Sequence, residues 1–178
     1  MTRPSPLKAV LLALVTGLWM GLVISPAVAQ SSPESLGNFR DWKAFKLNDG
    51  GSKVCWIATK PLESLPEGVR RGDIYLMLTH RPSQNVKNEL SVITGYTYET
   101  GSVTKASIGS NKLRFFTDGD GAWLRTADEE SNAVKYMRKG SKMTVVGVSN
   151  RGTETTDSYS LLGFTAALKT ISDACNIK

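Results

Sequence analysis

FRDWKAFKLNDGGSKVCWIAT, Phe39–Thr59, is the stretch that decides how the rest of the chain is read. Its turn residues, Asn48-Asp49-Gly50-Gly51, separate two runs rich in aromatic and β-branched side chains, the pattern of a β-hairpin. The first run, Phe39 to Leu47, is expected as one strand. In the second, Lys53 to Thr59, Val54, Trp56 and Ala58 share one face while Cys55 and Ile57 share the other. A period of two suits a strand and not a helix.

C-terminal to this hairpin the pattern repeats. Pro61 to Gly72 is a loop, and the apolar run Ile74 to Leu78 suits a strand covered on both faces. Arg81 to Lys87 is a polar connection, after which Leu90, Val92, Thr94, Tyr96 and Tyr98 alternate. Leu113 to Phe116 and Ala122 to Leu124 flank the turn Asp118-Gly119-Asp120-Gly121. Met143 to Val148 and Thr155 to Leu162 flank Asn150-Arg151-Gly152. Seven to nine short strands at this spacing predict a mainly β sandwich or barrel. Two helices interrupt the series. Thr126 and Glu129 have capping-box spacing, acids follow in the first turn, and Lys135, Arg138 and Lys139 precede Gly140. From Phe164 to Cys175, the residues Phe164, Leu168, Ile171 and Cys175 fall on one helical face.

N-terminal to the hairpin, residues 30–38 read as a polar, flexible lead-in, and residues 1–29 as a cleavable signal peptide. Arg3 and Lys8 precede the apolar run Ala9 to Ile24, Ser25-Pro26 breaks it, and Ala27-Val28-Ala29 supplies the small residues of a cleavage site. Residues 39–178 then form one domain, with no transmembrane segment in the mature chain. Arg3 and Lys8 account for two of the formal +6 charges. The remaining excess of cations is scattered, which points to anionic lipid or polysaccharide and away from nucleic acid.

Cys55 and Cys175 are the only cysteines, and in an oxidising compartment they are expected to pair. The bridge would close nearly the whole domain and contribute about 4–5 kcal/mol by the chain-entropy argument. His80 is the single histidine, too few for a structural zinc site with two cysteines. Its neighbours Thr79 and Arg81 offer no triad, and no nucleophile elbow, zincin helix or phosphate loop occurs. Asp118-Gly119-Asp120-Gly121 is followed by Ala122-Trp123, which departs from a calcium loop. The reading is therefore no catalytic residues, no metal and no cofactor. Trp42, Trp56 and Trp123 are expected in the core. Arg70, Arg71 and Arg81 flank one strand next to proline-containing loops and are the candidates for contact with an anionic surface.

Several segments together resemble the invasion-associated locus B family of Gram-negative envelope proteins. They are Phe39-Arg40-Asp41-Trp42, Lys53-Val54-Cys55, Thr79-His80-Arg81-Pro82 with Asn85 and Asn88-Glu89, and Thr117 through Trp123. Arg138-Lys139-Gly140 and Thr156 through Phe164 with Ala167-Leu168, running to Cys175, complete the set. The resemblance implies an immunoglobulin-like β-sandwich that is periplasmic, outer-membrane associated or secreted. It also implies a link to host-cell invasion and virulence, without an established enzymatic activity. Many members carry a second cysteine pair near the position of Ala122 to Asn132; this chain has none and resembles the branch with the long-range pair alone. The expected function is non-enzymatic binding of an envelope or host-surface component. The alternatives are an envelope glycan-processing enzyme using Asp118 with Asp120 or Glu129 with Glu130, and a periplasmic chaperone.

Overall fold

The computed structural model describes residues 31–177; the expected signal peptide, residues 1–29, lies outside them. The hairpin forms as read. Strands β2 (Trp42–Asp49) and β3 (Ser52–Thr59) pair from Lys43 with Ala58 to Asp49 with Ser52. Gly50 and Gly51 turn the chain at φ +52° and +86°, the left-handed values that a tight two-residue hairpin turn demands.

Upstream, the structure corrects two expectations. Phe39 to Leu47 is not one strand: β1 (Glu34–Phe39) ends at a turn in which Arg40 takes φ +53°, and the chain returns as β2. The lead-in is therefore a paired strand from Glu34 onward. Its Ser, Pro and Gly content hides this locally. The edge of β2 has backbone groups to satisfy, and Leu36 and Phe39 pack against the core.

The remaining strands are β4 (Glu63–Leu65), β5 (Tyr75–Arg81), β6 (Val86–Ile93), β7 (Val103–Ile108), β8 (Asn111–Asp118), β9 (Gly121–Trp123), β10 (Lys142–Val148) and β11 (Glu154–Ser160). Among the described residues they join in one continuous antiparallel sheet of eleven strands in the order β1-β2-β3-β5-β6-β9-β8-β7-β10-β11-β4. The sheet is folded around a single core in a sandwich-like arrangement. Its two ends are tied together where the Trp42 indole donates to the Ser160 carbonyl at 3.1 Å and the Asp41 amide to that of Leu162. β7 is absent from the sequence reading, because Thr104 and Ala106 are weak markers of its inward face. β4 lies within the stretch expected as loop, where it pairs with β11. β5 is covered mainly on one face: Leu76 and Leu78 are buried, while Tyr75 and Met77 are half-buried on the other.

Both helices match their sequence signals. α1 (Ala127–Lys139) carries a full capping box, with the Glu129 amide donating to Thr126 Oγ1 at 3.2 Å and Glu129 Oε2 accepting from the Thr126 amide at 3.1 Å. α2 (Phe164–Ala174) buries Phe164, Leu168 and Ile171 against β1, β2 and β3. Gly163 leads into it at φ +95°, and an added Cβ would overlap the Phe39 carbonyl oxygen. Cys175 caps α2 on the same buried face and is disulfide-bonded to Cys55 of β3. Of the three tryptophans expected in the core only Trp42 is there, edge-on to Phe164 at 5.3 Å. Trp56 and Trp123 lie half-buried on the outer face, against Phe45 and Phe116. No helix among the described residues is long and apolar enough to cross a membrane.

Candidate functional site

The segment before β5 carries two of the three candidate cations, and the fold gives them opposite fates. Arg71 turns inward. Its two terminal nitrogens donate to the two carboxylate oxygens of Asp157 at 2.7 Å each, and its Nε donates to the Thr94 carbonyl at 2.9 Å. The two side chains are 6% and 1% exposed. The guanidinium also lies 5.0 Å from the Tyr96 ring centre. Burial on its own would lower the Arg71 pKa, but the hydrogen bonds and charge of Asp157 outweigh it and hold it above its ordinary value. The expectation that Arg71 is a free surface contact is thus corrected: its guanidinium is held in a buried bidentate ion pair, with Asp157 the inner partner. Arg70 is exposed.

Three loops meet at this end of the sheet. The Gly72 amide donates to the Gly95 carbonyl at 2.8 Å, and the Asn150 amide to that of Thr97 at 2.9 Å. Between them opens a cleft of about 440 Å³. Arg70 and Arg151 stand over it, Tyr96 and Thr155 join hydroxyls at 2.7 Å in its floor, and Ser149 holds the β10–β11 turn by accepting from the amides of Arg151 and Thr153. Beneath that floor lie the buried hydroxyls of Tyr98, Thr104 and Tyr159. The Arg71–Asp157 pair is neutral overall, so the net charge of the cleft comes from Arg70 and Arg151, and the arrangement can hold an anionic group. Arg151 was legible only as a turn residue. Its approach to Arg70 is a product of the sheet order.

Arg81 is elsewhere. It ends β5, roughly 20 Å along the strand from Tyr75 at about 3.3 Å per residue, and it pairs with Glu89 at 2.7 Å. The three candidate arginines therefore do not form one surface.

His80 lies opposite Cys55 in the β3–β5 register and is fully buried. The Asn88 amide donates to its Nδ1 at 3.1 Å, which leaves Nε2 to carry the proton toward Ser172 Oγ at 3.2 Å. Burial, then the charge of Lys87, lowers its pKa to about 4, so the ring is neutral with both nitrogens engaged. That is a structural histidine. The acids considered for glycan chemistry are no better placed. Asp118 and Asp120 sit exposed on one tight turn, and Glu129 is occupied by its cap. Glu130 is pushed up to about 7 by burial and by the charges of Glu89 and Glu129. No three His, Cys, Asp or Glu side chains among the described residues are grouped to hold a metal ion.

A family model described as Invasion associated locus B (IalB) protein matches residues 42–172. No curated protein and no solved structure matches the chain.

Proposed function

The chain belongs to the invasion-associated locus B family, and from that premise we propose that it is an exported cell-envelope protein that acts by surface binding in host-cell invasion or envelope integrity. The family match carries this reading. It is not an enzyme family as such, and the single histidine is spent on hydrogen bonds within the fold. The Cys55–Cys175 disulfide supports an oxidising compartment outside the cytoplasm, and the signal peptide read at residues 1–29 supports export to the periplasm, with outer-membrane association or secretion as its extensions.

The binding surface in this proposal is the cleft under Arg70 and Arg151. Two exposed cations above a neutral, hydroxyl-lined floor suit a phosphate or carboxylate group of anionic lipid or polysaccharide. Arg71 contributes by holding the floor, and Arg81 takes no part. The test compares the wild type with Arg70→Glu/Arg151→Glu for association with anionic envelope material at low and physiological salt. Binding should weaken with salt, because exposed charges are screened over roughly 10 Å at 0.1 M, and should fall on charge reversal. Equal binding by both proteins at low salt would reject the cleft and leave a protein partner as the reading.

A further inference from the structure

The folded sheet gathers on its outer face cations that lie apart in the sequence. Along β7, Thr104, Ala106 and Ile108 are buried, so Val103, Lys105 and Ser107 face outward. On β8 the inward Leu113 and Phe115 leave Lys112, Arg114 and Phe116 outward. On β10 the inward Met143 and Val145 leave Lys142, Thr144 and Val146. Register sets Lys105 between Arg114 and Val146, and Ser107 between Lys112 and Thr144. Lys105, Lys112, Arg114 and Lys142 are all exposed, and none has an ion-pair partner among the described residues. The side chains between them, Ser107, Thr144 and Val146, are small, which keeps the floor of the patch low.

Two structural explanations for lysines on a sheet fail for this face. Lysine on an edge strand guards it against pairing with another chain, but β7 and β8 each have a neighbour on both sides. Opposite charges facing each other across strands support a sheet, whereas Lys105 and Arg114 repel. No carboxylate stands at the outward positions of β7 or β10, or at those of β8 before Asp118. Fold stability alone would favour an acid at one of them. A sheet that keeps the repulsion gives up stability where binding needs charge.

The layout of the patch selects the partner. At about 4.8 Å between strands and 3.4 Å per residue, the four cations cover about 10 by 14 Å. They spread in two dimensions and not along a line, within about two screening lengths of roughly 8 Å, so their fields add. That suits a plane of anions. The adjoining row is apolar: Val103, 37% exposed, faces Phe116, which packs against Trp123 at 5.9 Å with the Arg125 guanidinium 5.0 Å from its ring. Cations beside aliphatic and aromatic side chains make a surface suited to the headgroup region of a bilayer. Asp118, beyond Phe116 on β8, bounds the patch.

We propose that the outer face of β7, β8 and β10 docks on a bilayer of anionic phospholipid, with Lys105, Lys112, Arg114 and Lys142 against the phosphates and Val103 at the headgroup–acyl boundary. None of these residues lines the arginine cleft. The surface therefore goes beyond the function proposed for the cleft and stands or falls separately.

The test is sedimentation of the full mature chain with vesicles, in an Arg70→Gln/Arg151→Gln background so that the cleft adds nothing. Vesicles of phosphatidylcholine are compared with vesicles of the same lipid mixed with phosphatidylglycerol. A cation near an anionic leaflet raises partition about fivefold, so adding Lys105→Gln/Arg114→Gln should lower partition into the charged vesicles by about 25-fold. Val103→Asp should weaken it as well. The melting temperature of the Lys105→Gln/Arg114→Gln protein should hold or rise, because a cross-strand repulsion is gone, which separates lost docking from lost folding. Equal partition with and without those two substitutions overturns the proposal, as does equal partition into charged and uncharged vesicles. Binding of inorganic polyphosphate that the substitutions abolish, without binding of the charged vesicles, overturns it too and assigns the face to a soluble polyanion.

Discussion

Arg71→Met tests the buried ion pair. The substitution keeps much of the side-chain volume but removes both donors to Asp157, whose carboxylate is 1% exposed, and the donor to the Thr94 carbonyl. An exposed ion pair would contribute about 0–1 kcal/mol. Leaving one partner buried and unpaired instead costs about 3–5 kcal/mol, because the charge has lost its solvent and its counter-ion. For a domain of this size that is a fall in melting temperature of roughly 10–15 °C. Asp157→Leu alone should cost a similar amount, since it strands the guanidinium. The double variant Arg71→Met/Asp157→Leu should recover most of the loss, because an apolar pair of similar volume replaces a buried ion pair at little net cost. Urea unfolding of the four proteins closes the cycle and isolates a coupling of several kcal/mol. Single effects below about 1 kcal/mol, or costs that simply add in the double variant, would refute the claim that the pair is desolvated and coupled.

Two further outcomes follow from the helical end of the fold. Cys175→Ser should lower stability by about 4–5 kcal/mol by the chain-entropy model, and thiol labelling of the untreated wild type should find neither cysteine reactive; labelling of Cys55 and Cys175 would contradict the bridge. Stability against pH, followed by urea midpoints, should carry two opposite trends. His80 has its folded pKa lowered from 6.5 to about 4, so its contribution is present above about 6.5 and is lost as pH falls toward 4. Glu130 has its folded pKa raised from 4.5 to about 7, so its contribution is present below 4.5 and is lost as pH rises through 7. His80→Gln should flatten the acid side, and Glu130→Gln should raise stability at pH 8 with little effect at pH 5. Unchanged profiles would mean that neither group is desolvated as the geometry requires.

Much of the architecture is written in neighbours two to four residues apart. Backbone geometry alone puts Cys55 and Ile57 on one face of β3, Cys175 in line with Phe164, Leu168 and Ile171 on α2, and Glu129 within reach of the Thr126 amide. The hairpin at Gly50-Gly51, the helix ends and the disulfide were legible for that reason, as was the family. The fates of Arg70 and Arg71 were not. They are adjacent in sequence, yet one faces solvent and the other is sealed against Asp157, 86 positions away. Likewise, Trp42 is buried and Trp56 is not because only one of them points at the closure with Ser160. The strand character of residues 34–39, the pairing of β4 with β11 and the approach of Arg151 to Arg70 also depend on which edges the folded sheet brings together. Local periodicity says which face a side chain takes. What lies opposite that face, and so whether a charge stays available to a ligand, is decided only when distant strands close around the core.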